Sequence, residues 1–195
     1  SISGYGVKGP QGGLPGYDFL MQAESGLMKI TGEVNGEPMK LGVAIVDIVT
    51  GLNAVISVLS GLLLNKKLKN KNILTEVNLY NSGIFLLANV ASNTLVSNKD
   101  AERYANGHPN IVPYNLFKSK NGELAISVGN DNQFKVFTKL LKKPEWALDK
   151  RFAKNADRVK NRTLIEKMIN KELSKKNRSY WYNLFLKNNI PSAIV

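Results

Sequence analysis

The chain has 195 residues, of which 43% are hydrophobic and 22% charged, a balance typical of a folded protein with one or two domains. It has no cysteine and a single histidine, which excludes disulfides, thiolate catalysis and a metal site with two histidine ligands. The formal net charge is +12, yet the basic residues are not interleaved with aromatic ones in a nucleic-acid-binding module, so we interpret them as a solvated basic face.

The first segments of the chain alternate between loops and apolar runs. Glycine and proline dominate residues 4–16 and predict a loop. Apolar residues at helical spacing predict a helix over 17–30, and an almost uninterrupted apolar run predicts a buried helix over 48–66. The most apolar part of that run, 52–64, is shorter than the ~20 residues that a bilayer-spanning helix needs.

A strand and a helix complete the first half of the chain. Alternating apolar residues predict a strand over 73–79, and a second long apolar run predicts a helix over 82–97. Residues 1–97 therefore indicate part of a doubly wound α/β layer. Polar residues follow, and we predict a linker over 98–112.

The second half of the chain predicts a separate small α/β domain over 113–189. Two strand candidates, 114–118 and 124–128, are joined by a glycine-containing turn and predict a hairpin. Three helices are predicted after it, over 132–141, 158–174 and 179–187. The first residues lack the basic and apolar stretches of a signal peptide, so we expect a cytoplasmic protein.

Asp47 is the unusual residue of the first half. It stands alone between the apolar stretches 43–46 and 48–49, and carboxylates seldom enter such surroundings unless they are capped, paired or functional. One interpretation is a helix N-cap. The other is a nucleophile, because a helix N-terminus favours the ionised form that can attack. The two interpretations are compatible, and spacing alone favours the cap.

Two further positions are candidates for a site. Tyr17 and Asp18 follow the glycine-rich loop directly, and Gln22 lies one helical turn after Asp18, which fits the acidic first turn of a helix. His108 stands in a loop before a proline, where a histidine is commonly a surface or packing residue. No Gly-x-Ser-x-Gly motif accompanies it, so nothing indicates a serine hydrolase.

These residues belong to a longer pattern, which resembles the signature of the family III CoA-transferases, also called the CaiB/BaiF family. The pattern is most similar to the dicarboxylate-using branch with succinate–hydroxymethylglutarate CoA-transferase. The matching blocks extend over nearly the whole chain: Gly16-Tyr17-Asp18-x-x-x-Gln22-Ala23-x-Ser25-Gly26-Leu27-Met28, Gly42-Val43-Ala44-x-x-Asp47-x-x-Thr50-Gly51, Val128-Gly129-Asn130-Asp131-Asn132-Gln133-Phe134 and Asn155-x-x-Arg158-x-x-Asn161-Arg162.

The resemblance implies an α/β fold with a large Rossmann-like domain and a small α/β domain. Residues 1–97 would be part of the large, CoA-binding domain and 113–189 the small one. Residues 190–195 would begin a return to the large domain. Two full-length subunits would interlock as a homodimer. We therefore expect this chain to be a fragment, inactive by itself.

The resemblance also implies a reaction. Asp47 would attack an acyl-CoA thioester to give a mixed anhydride, and the released CoA would then form an aspartyl-CoA thioester that passes CoA to an acceptor carboxylic acid. CoA would be contacted by Pro15, Gly16, Tyr17 and Asp18. A loop that contacts the substrate would include Gln22, Gly107 and His108. CoA and acyl-CoA are substrates here, and neither a permanently bound cofactor, a metal, nucleic acid nor a membrane is expected.

One segment departs from the family pattern, and two other functions stay open. The basic residues between 66 and 71 stand where the family has a glycine-containing turn.

An α-methylacyl-CoA racemase of the same superfamily would use a histidine that lies outside this chain. A non-catalytic basic binding module is the alternative from a different class.

Overall fold

The structure is a computed structural model that describes residues 1–67 and 72–195. Residues 68–71, which belong to the basic segment discussed above, lie outside the described residues. The chain divides into two compact units, Ser1–Ala105 and Asn106–Val195, and each unit has its own hydrophobic core. The boundary falls inside the predicted linker, 98–112.

The first unit is built on two short parallel strands, β1 (Ile2–Ser3) and β2 (Val77–Asn78). The chain between them crosses over through helices, as parallel pairing requires. The helices of this unit are α1 (Asp18–Glu24), α2 (Leu27–Ile30), α3 (Ile45–Lys67), α4 (Leu79–Leu86) and α5 (Ala88–Ser97). Met21, Leu27 and Val46 form the buried core between them.

Two predicted elements of this unit differ from the structure. The strand predicted over 73–79 is reduced to Val77 and Asn78, which pair with β1. It ends at Asn78 because the Asn78 side chain accepts a hydrogen bond from the backbone N–H of Asn81 at 2.8 Å and caps α4. The single helix predicted over 82–97 is divided into α4 and α5. The division occurs beside Ala88, whose φ of 48° is left-handed.

Helix α3 was predicted to be buried, and this is wrong for the chain as it stands. Of its 23 residues only Val46 and Thr50 are buried, whereas Leu63 is 74% exposed. A helix that is apolar on nearly every face needs neighbours on every side, and the first unit covers only its first turns. The helix is also long and apolar enough to cross a membrane, a test that core helices of soluble proteins pass as well. The length argument against a span therefore does not apply to α3.

The second unit contains a three-stranded antiparallel sheet. Strands β3 (Tyr114–Ser119) and β4 (Gly122–Ser127) form the predicted hairpin, which is confirmed. The third strand, β5 (Ser192–Ile194), pairs with β4. The expected return of the chain to the first domain from residues 190–195 stays a prediction. The helices are α6 (Asp131–Leu140), α7 (Asn155–Lys160), α8 (Arg162–Leu173) and α9 (Arg178–Lys187), with a short 3-10 helix at Pro144–Ala147.

The core of the second unit lies between this sheet and its helices. It is rich in aromatic residues, and the rings of Phe137 and Phe185 are 5.4 Å apart. Trp181 also lies in this core and donates its indole N–H to the carbonyl of Leu173 at 2.8 Å. The amphipathic pattern predicted over 158–174 is divided between α7 and α8, with Ile165 and Ile169 of α8 fully buried.

Candidate functional site

Asp47 lies in the first turn of α3, and it does not cap the helix. The helix begins at Ile45, so Asp47 is its third residue and Ala44 precedes it. The N-cap interpretation of Asp47 is therefore wrong: the apolar run enters the helix earlier than its pattern predicted. Asp47 is exposed, and its position near the positive end of the helix dipole favours a negative charge there.

The cap is supplied instead by Asp18, the first residue of α1. Its Oδ2 accepts hydrogen bonds from the backbone N–H groups of Val46 at 2.8 Å and of Asp47 at 3.4 Å. The first N–H groups of a helix have no partner within the helix, so a carboxylate there is stabilising. The structure thus brings two of the predicted site residues, Asp18 and Asp47, into direct contact.

Gln22 fixes the orientation of Asp18. Its Nε2 donates to Asp18 Oδ1 at 2.6 Å and to the carbonyl of Val43 at 3.3 Å, and its Oε1 accepts from the N–H of Leu41 at 2.8 Å. The side chain is fully buried, with 0% exposure. One amide therefore joins α1 to the segment that leads into α3.

The glycine-rich loop between β1 and α1 is held by a close backbone contact. A Cβ atom on Gly16 would lie 2.7 Å from Cα of Gly4, so both positions require glycine for this crossing. Tyr17, which follows directly, is 74% exposed, and Pro15 is exposed as well. The loop follows the carboxyl end of β1, where open α/β sheets bind their ligands.

A tyrosine that the sequence did not single out connects this loop to α1. Burial, and then a hydrogen bond and the negative charge of Glu24, raise the pKa of Tyr5 above its usual range. The ring of Tyr5 lies 5.8 Å from that of Tyr80, and Gln11 donates to Glu24 at 3.3 Å. No spacing in the sequence indicated this cluster, because its members come from three separate segments.

Gly107 and His108 lie in the second unit, in the loop that precedes β3. His108 Nδ1 accepts a hydrogen bond from the N–H of Asn110 at 3.0 Å, which places the proton of the neutral ring on Nε2. Burial, and then the charge of Arg162, lower the pKa of His108 below its usual range. His108 is thus held as a neutral ring with a single donor.

The loop around His108 is held by three side chains from α7 and α8. Arg162 donates to the carbonyls of His108 and Pro109 at 2.7 and 2.9 Å. Asn155 donates to the carbonyl of Asn110 at 2.8 Å, and Arg158 donates to that of Val112 at 2.6 Å. These donors belong to the block of the family pattern at 155–162, whose role here is to fix a loop.

The site residues are therefore distributed over both units. Pro15, Gly16, Tyr17, Asp18, Gln22 and Asp47 belong to the first unit, and Gly107 and His108 to the second. Among the described residues, no group of three or more histidine, cysteine, aspartate or glutamate side chains could hold a metal ion.

The mixed α/β fold, with its glycine-rich loop and its aspartate at a helix start, is the fold of CaiB/BaiF proteins. A solved structure of a CaiB/BaiF family protein from Brucella suis matches with 36% identity and a TM-score of 0.75, over 100% of this chain and 51% of that one. Rv3272 from Mycobacterium tuberculosis shares the fold at 23% identity and a TM-score of 0.85, over 100% of this chain and 50% of that one. The fold prediction is confirmed.

The family model of CoA-transferase family III matches residues 1–195, and the chain belongs to this family. It is 39% identical over 191 residues to succinyl-CoA:glutarate CoA-transferase of Mus musculus, which covers 98% of this chain and 44% of the relative. It is 37% identical over 178 residues to succinate–glutarate CoA-transferase of Agrobacterium fabrum, over 91% of this chain and 44% of the relative. The chain thus spans less than half the length of these curated relatives.

Proposed function

We propose that this chain carries the nucleophile of a CoA-transferase that moves CoA from an acyl-CoA to a free carboxylic acid. The observation that carries the proposal is that the Asp47 side chain is exposed at the start of α3 while another residue caps the helix. It is exposed in the first turn of a long helix, and the N–H groups of that turn already bind Asp18. The Asp47 carboxylate is therefore not needed for the helix cap and remains available to attack a thioester.

The reaction proceeds by exchange of acyl bonds on Asp47. The carboxylate attacks the donor thioester, which gives a mixed anhydride and CoA thiolate. The thiolate attacks the aspartyl carbonyl, which releases the donor acid and leaves an aspartyl-CoA thioester. The acceptor carboxylate then attacks this thioester, which gives a second mixed anhydride and releases CoA thiolate. The thiolate attacks the acceptor's acyl carbon in that anhydride, which forms the new acyl-CoA and frees the Asp47 carboxylate. One thioester is exchanged for another, so no ATP is consumed.

A dicarboxylic acid is the proposed acceptor, with succinyl-CoA as the proposed donor. The support comes from the names of relatives at 37–39% identity, which include glutarate and succinyl-CoA. A chain with a net charge of +12 also attracts anionic substrates. The proposed contacts for CoA are Pro15, Gly16 and Tyr17, because these residues end the loop that follows the carboxyl end of β1. They also lie next to Asp18, which binds the first turn of α3.

The chain is proposed to act as part of a larger assembly, a homodimer of a longer polypeptide. The apolar residues of α3 support this, since a soluble protein rarely leaves so large an apolar surface in water. No permanently bound cofactor is proposed, and the proposed location is the cytoplasm. By itself the chain is expected to show no turnover.

The test is an assay of the full-length protein with succinyl-CoA and glutarate, in which glutaryl-CoA is measured. Asp47→Asn should abolish turnover while CoA binding remains, and wild-type protein incubated with succinyl-CoA should carry a hydroxylamine-sensitive adduct on Asp47. Asp100→Asn is the matched control, because Asp100 is an exposed carboxylate of the same unit that pairs with Lys29. Turnover by Asp47→Asn would exclude the proposal, and exchange of the α-proton of an acyl-CoA would indicate a racemase instead.

A further inference from the structure

The first turn of α3 is capped from a distant part of the chain. The residue before the helix is Ala44, whose side chain has no acceptor. Asp18 takes this role from a position 29 residues before Asp47. A cap supplied from α1 fixes two segments relative to each other, which a local cap cannot do.

This arrangement changes what Asp47 is free to do. The side chain that caps a helix usually belongs to the residue before it and binds the N–H groups of the second or third helical residue. In α3 the N–H groups of Val46 and Asp47 already donate to Asp18 Oδ2. Because Asp18 satisfies these N–H groups, the cap of α3 needs no contribution from the Asp47 carboxylate.

Gln22 makes the arrangement rigid. Asp18 Oδ1 accepts from Gln22 Nε2, while Oδ2 faces the amides of α3, so each oxygen of Asp18 has its own donor. The other contacts of Gln22 reach Leu41 and Val43, in the segment that leads into α3. Since Gln22 is fully buried, it holds both sides of this connection without access to solvent.

We infer that Asp18 and Gln22 are positioning residues, which hold the first turn of α3 so that the Asp47 carboxylate is presented to the acyl-CoA. The inference rests on the proposed function. It assigns Asp18 and Gln22 roles that differ from the CoA and substrate contacts that the family resemblance implied. Both oxygens of Asp18 bind donors from the protein itself.

The test uses the full-length protein and a pair of substitutions. In Asp18→Asn the new amide N–H₂ group faces the amide N–H₂ group of Gln22. Two donors cannot bond to each other, so the hydrogen bond between residue 18 and Gln22 is lost. A misplaced nucleophile reduces the rate of the chemical step, and we expect kcat to fall about 10- to 100-fold. The KM for succinyl-CoA should stay unchanged, because no contact with CoA is removed.

The double variant Asp18→Asn, Gln22→Glu exchanges the donor and the acceptor. The amide of residue 18 can then donate to the carboxylate of residue 22, while its oxygen still accepts from Val46. The hydrogen bond from residue 22 to the carbonyl of Val43 is lost, because a carboxylate cannot donate. We expect the double variant to recover part of the kcat that Asp18→Asn loses. A merely destabilising effect would add in the double variant, so recovery separates positioning from stability.

Other results would overturn the inference. A raised KM for succinyl-CoA with unchanged kcat in Asp18→Asn would show that Asp18 contacts CoA, and an unchanged kcat would show that the connection is not needed. If Asp18→Asn does not fold, Asp18→Glu keeps the charge but displaces the cap by one methylene, and it should lower kcat without changing KM. Absence of exchange in the wild-type protein would instead refute the proposed function, so the two failures are distinguishable.

Discussion

Arg158 donates a hydrogen bond from Nη2 to Oδ1 of Asp131 at 3.0 Å, and its side chain is fully buried in the second unit. The guanidinium carbon lies 4.2 Å from the centre of the Phe134 ring. Nε and Nη1 donate to the carbonyls of Val112 and Phe152. A buried cation is tolerated when its donors are satisfied, and here it joins the start of α6 to the His108 loop.

Replacing Arg158 by methionine should strongly destabilise the second unit. The substitution leaves the carbonyls of Val112 and Phe152 without this donor and removes one of the partners of Asp131. Leaving buried acceptors unsatisfied costs about 1–3 kcal/mol in the free energy of unfolding. Urea unfolding, followed by the fluorescence of Trp146 and Trp181 in this unit, measures the loss.

Arg151→Met is the matched control for this prediction. Arg151 also pairs with an aspartate, Asp149, but on the surface. Water screens that pair, so its loss should leave the unfolding midpoint nearly unchanged. Equal effects of the two substitutions would contradict the buried role of Arg158.

A second prediction concerns Gly16. A Cβ atom there would lie 2.7 Å from Cα of Gly4, which is backbone and cannot move aside cheaply. We expect Gly16→Ala to destabilise the first unit by about 1–3 kcal/mol, the usual cost of overpacking. Amide hydrogen exchange across residues 1–67 would report the loss.

Gly51→Ala provides the opposite expectation in the same unit. Gly51 lies inside α3, and a Cβ atom there would meet nothing within 4 Å. Alanine is a better helix former than glycine, so this variant should be stabilised by about 1 kcal/mol. A stability gain at both positions would show that the contact between Gly4 and Gly16 is not tight.

Much of this architecture could be predicted from local patterns. The hairpin of strands 114–118 and 124–128 was predicted because alternation and a glycine turn are local signals. Its register was not predicted: the strands extend to Ser119 and Gly122, which pair with each other, so Leu116 pairs with Ala125. The helix over 48–66 was also predicted from a local signal, an almost uninterrupted apolar run. Its exposure was not, because burial depends on which neighbours surround a helix rather than on its own composition.

The contacts of the candidate site could not be predicted in the same way. Asp18 and Asp47 were each singled out, but their contact joins residues 29 positions apart, and no spacing rule relates a helix cap to so distant a residue. Arg158 belonged to the family pattern, yet a sequence gives no sign that an arginine will be buried. Its partners come from three separate segments, around residues 112, 131 and 152.

A third prediction concerns the protonation of His108. Its pKa is lowered by burial and by the charge of Arg162, so the folded protein favours the neutral ring. The stability that this provides is present above the unfolded pKa, about 6.5, and is lost as the pH falls towards the lower folded value. Since the chain has one histidine, its imidazole signal in an NMR titration is unique.

Arg162→Gln tests the cause of this shift. Removing the cation should move the pKa of His108 upward, while burial still keeps it below the usual value. His108→Gln should remove the matching part of the pH dependence of unfolding. A His108 signal that titrates at or above the usual pKa in the wild type would contradict this description.

The fourth prediction concerns the exposed apolar face of α3. Leu52, Leu59 and Leu63 are each more than half exposed, and together they present an apolar surface along the helix. We expect the isolated chain to self-associate through this surface, because its contact with water is unfavourable. Replacing all three leucines by glutamine should shift sedimentation towards the monomer. The thermal midpoint should change little, since none of the three contributes to the buried core.

Val46→Ala, which removes a fully buried side chain at the start of the same helix, should instead lower the thermal midpoint and leave the self-association of the folded protein intact. A triple variant that associates as strongly as the wild type would show that the surface of α3 does not drive assembly.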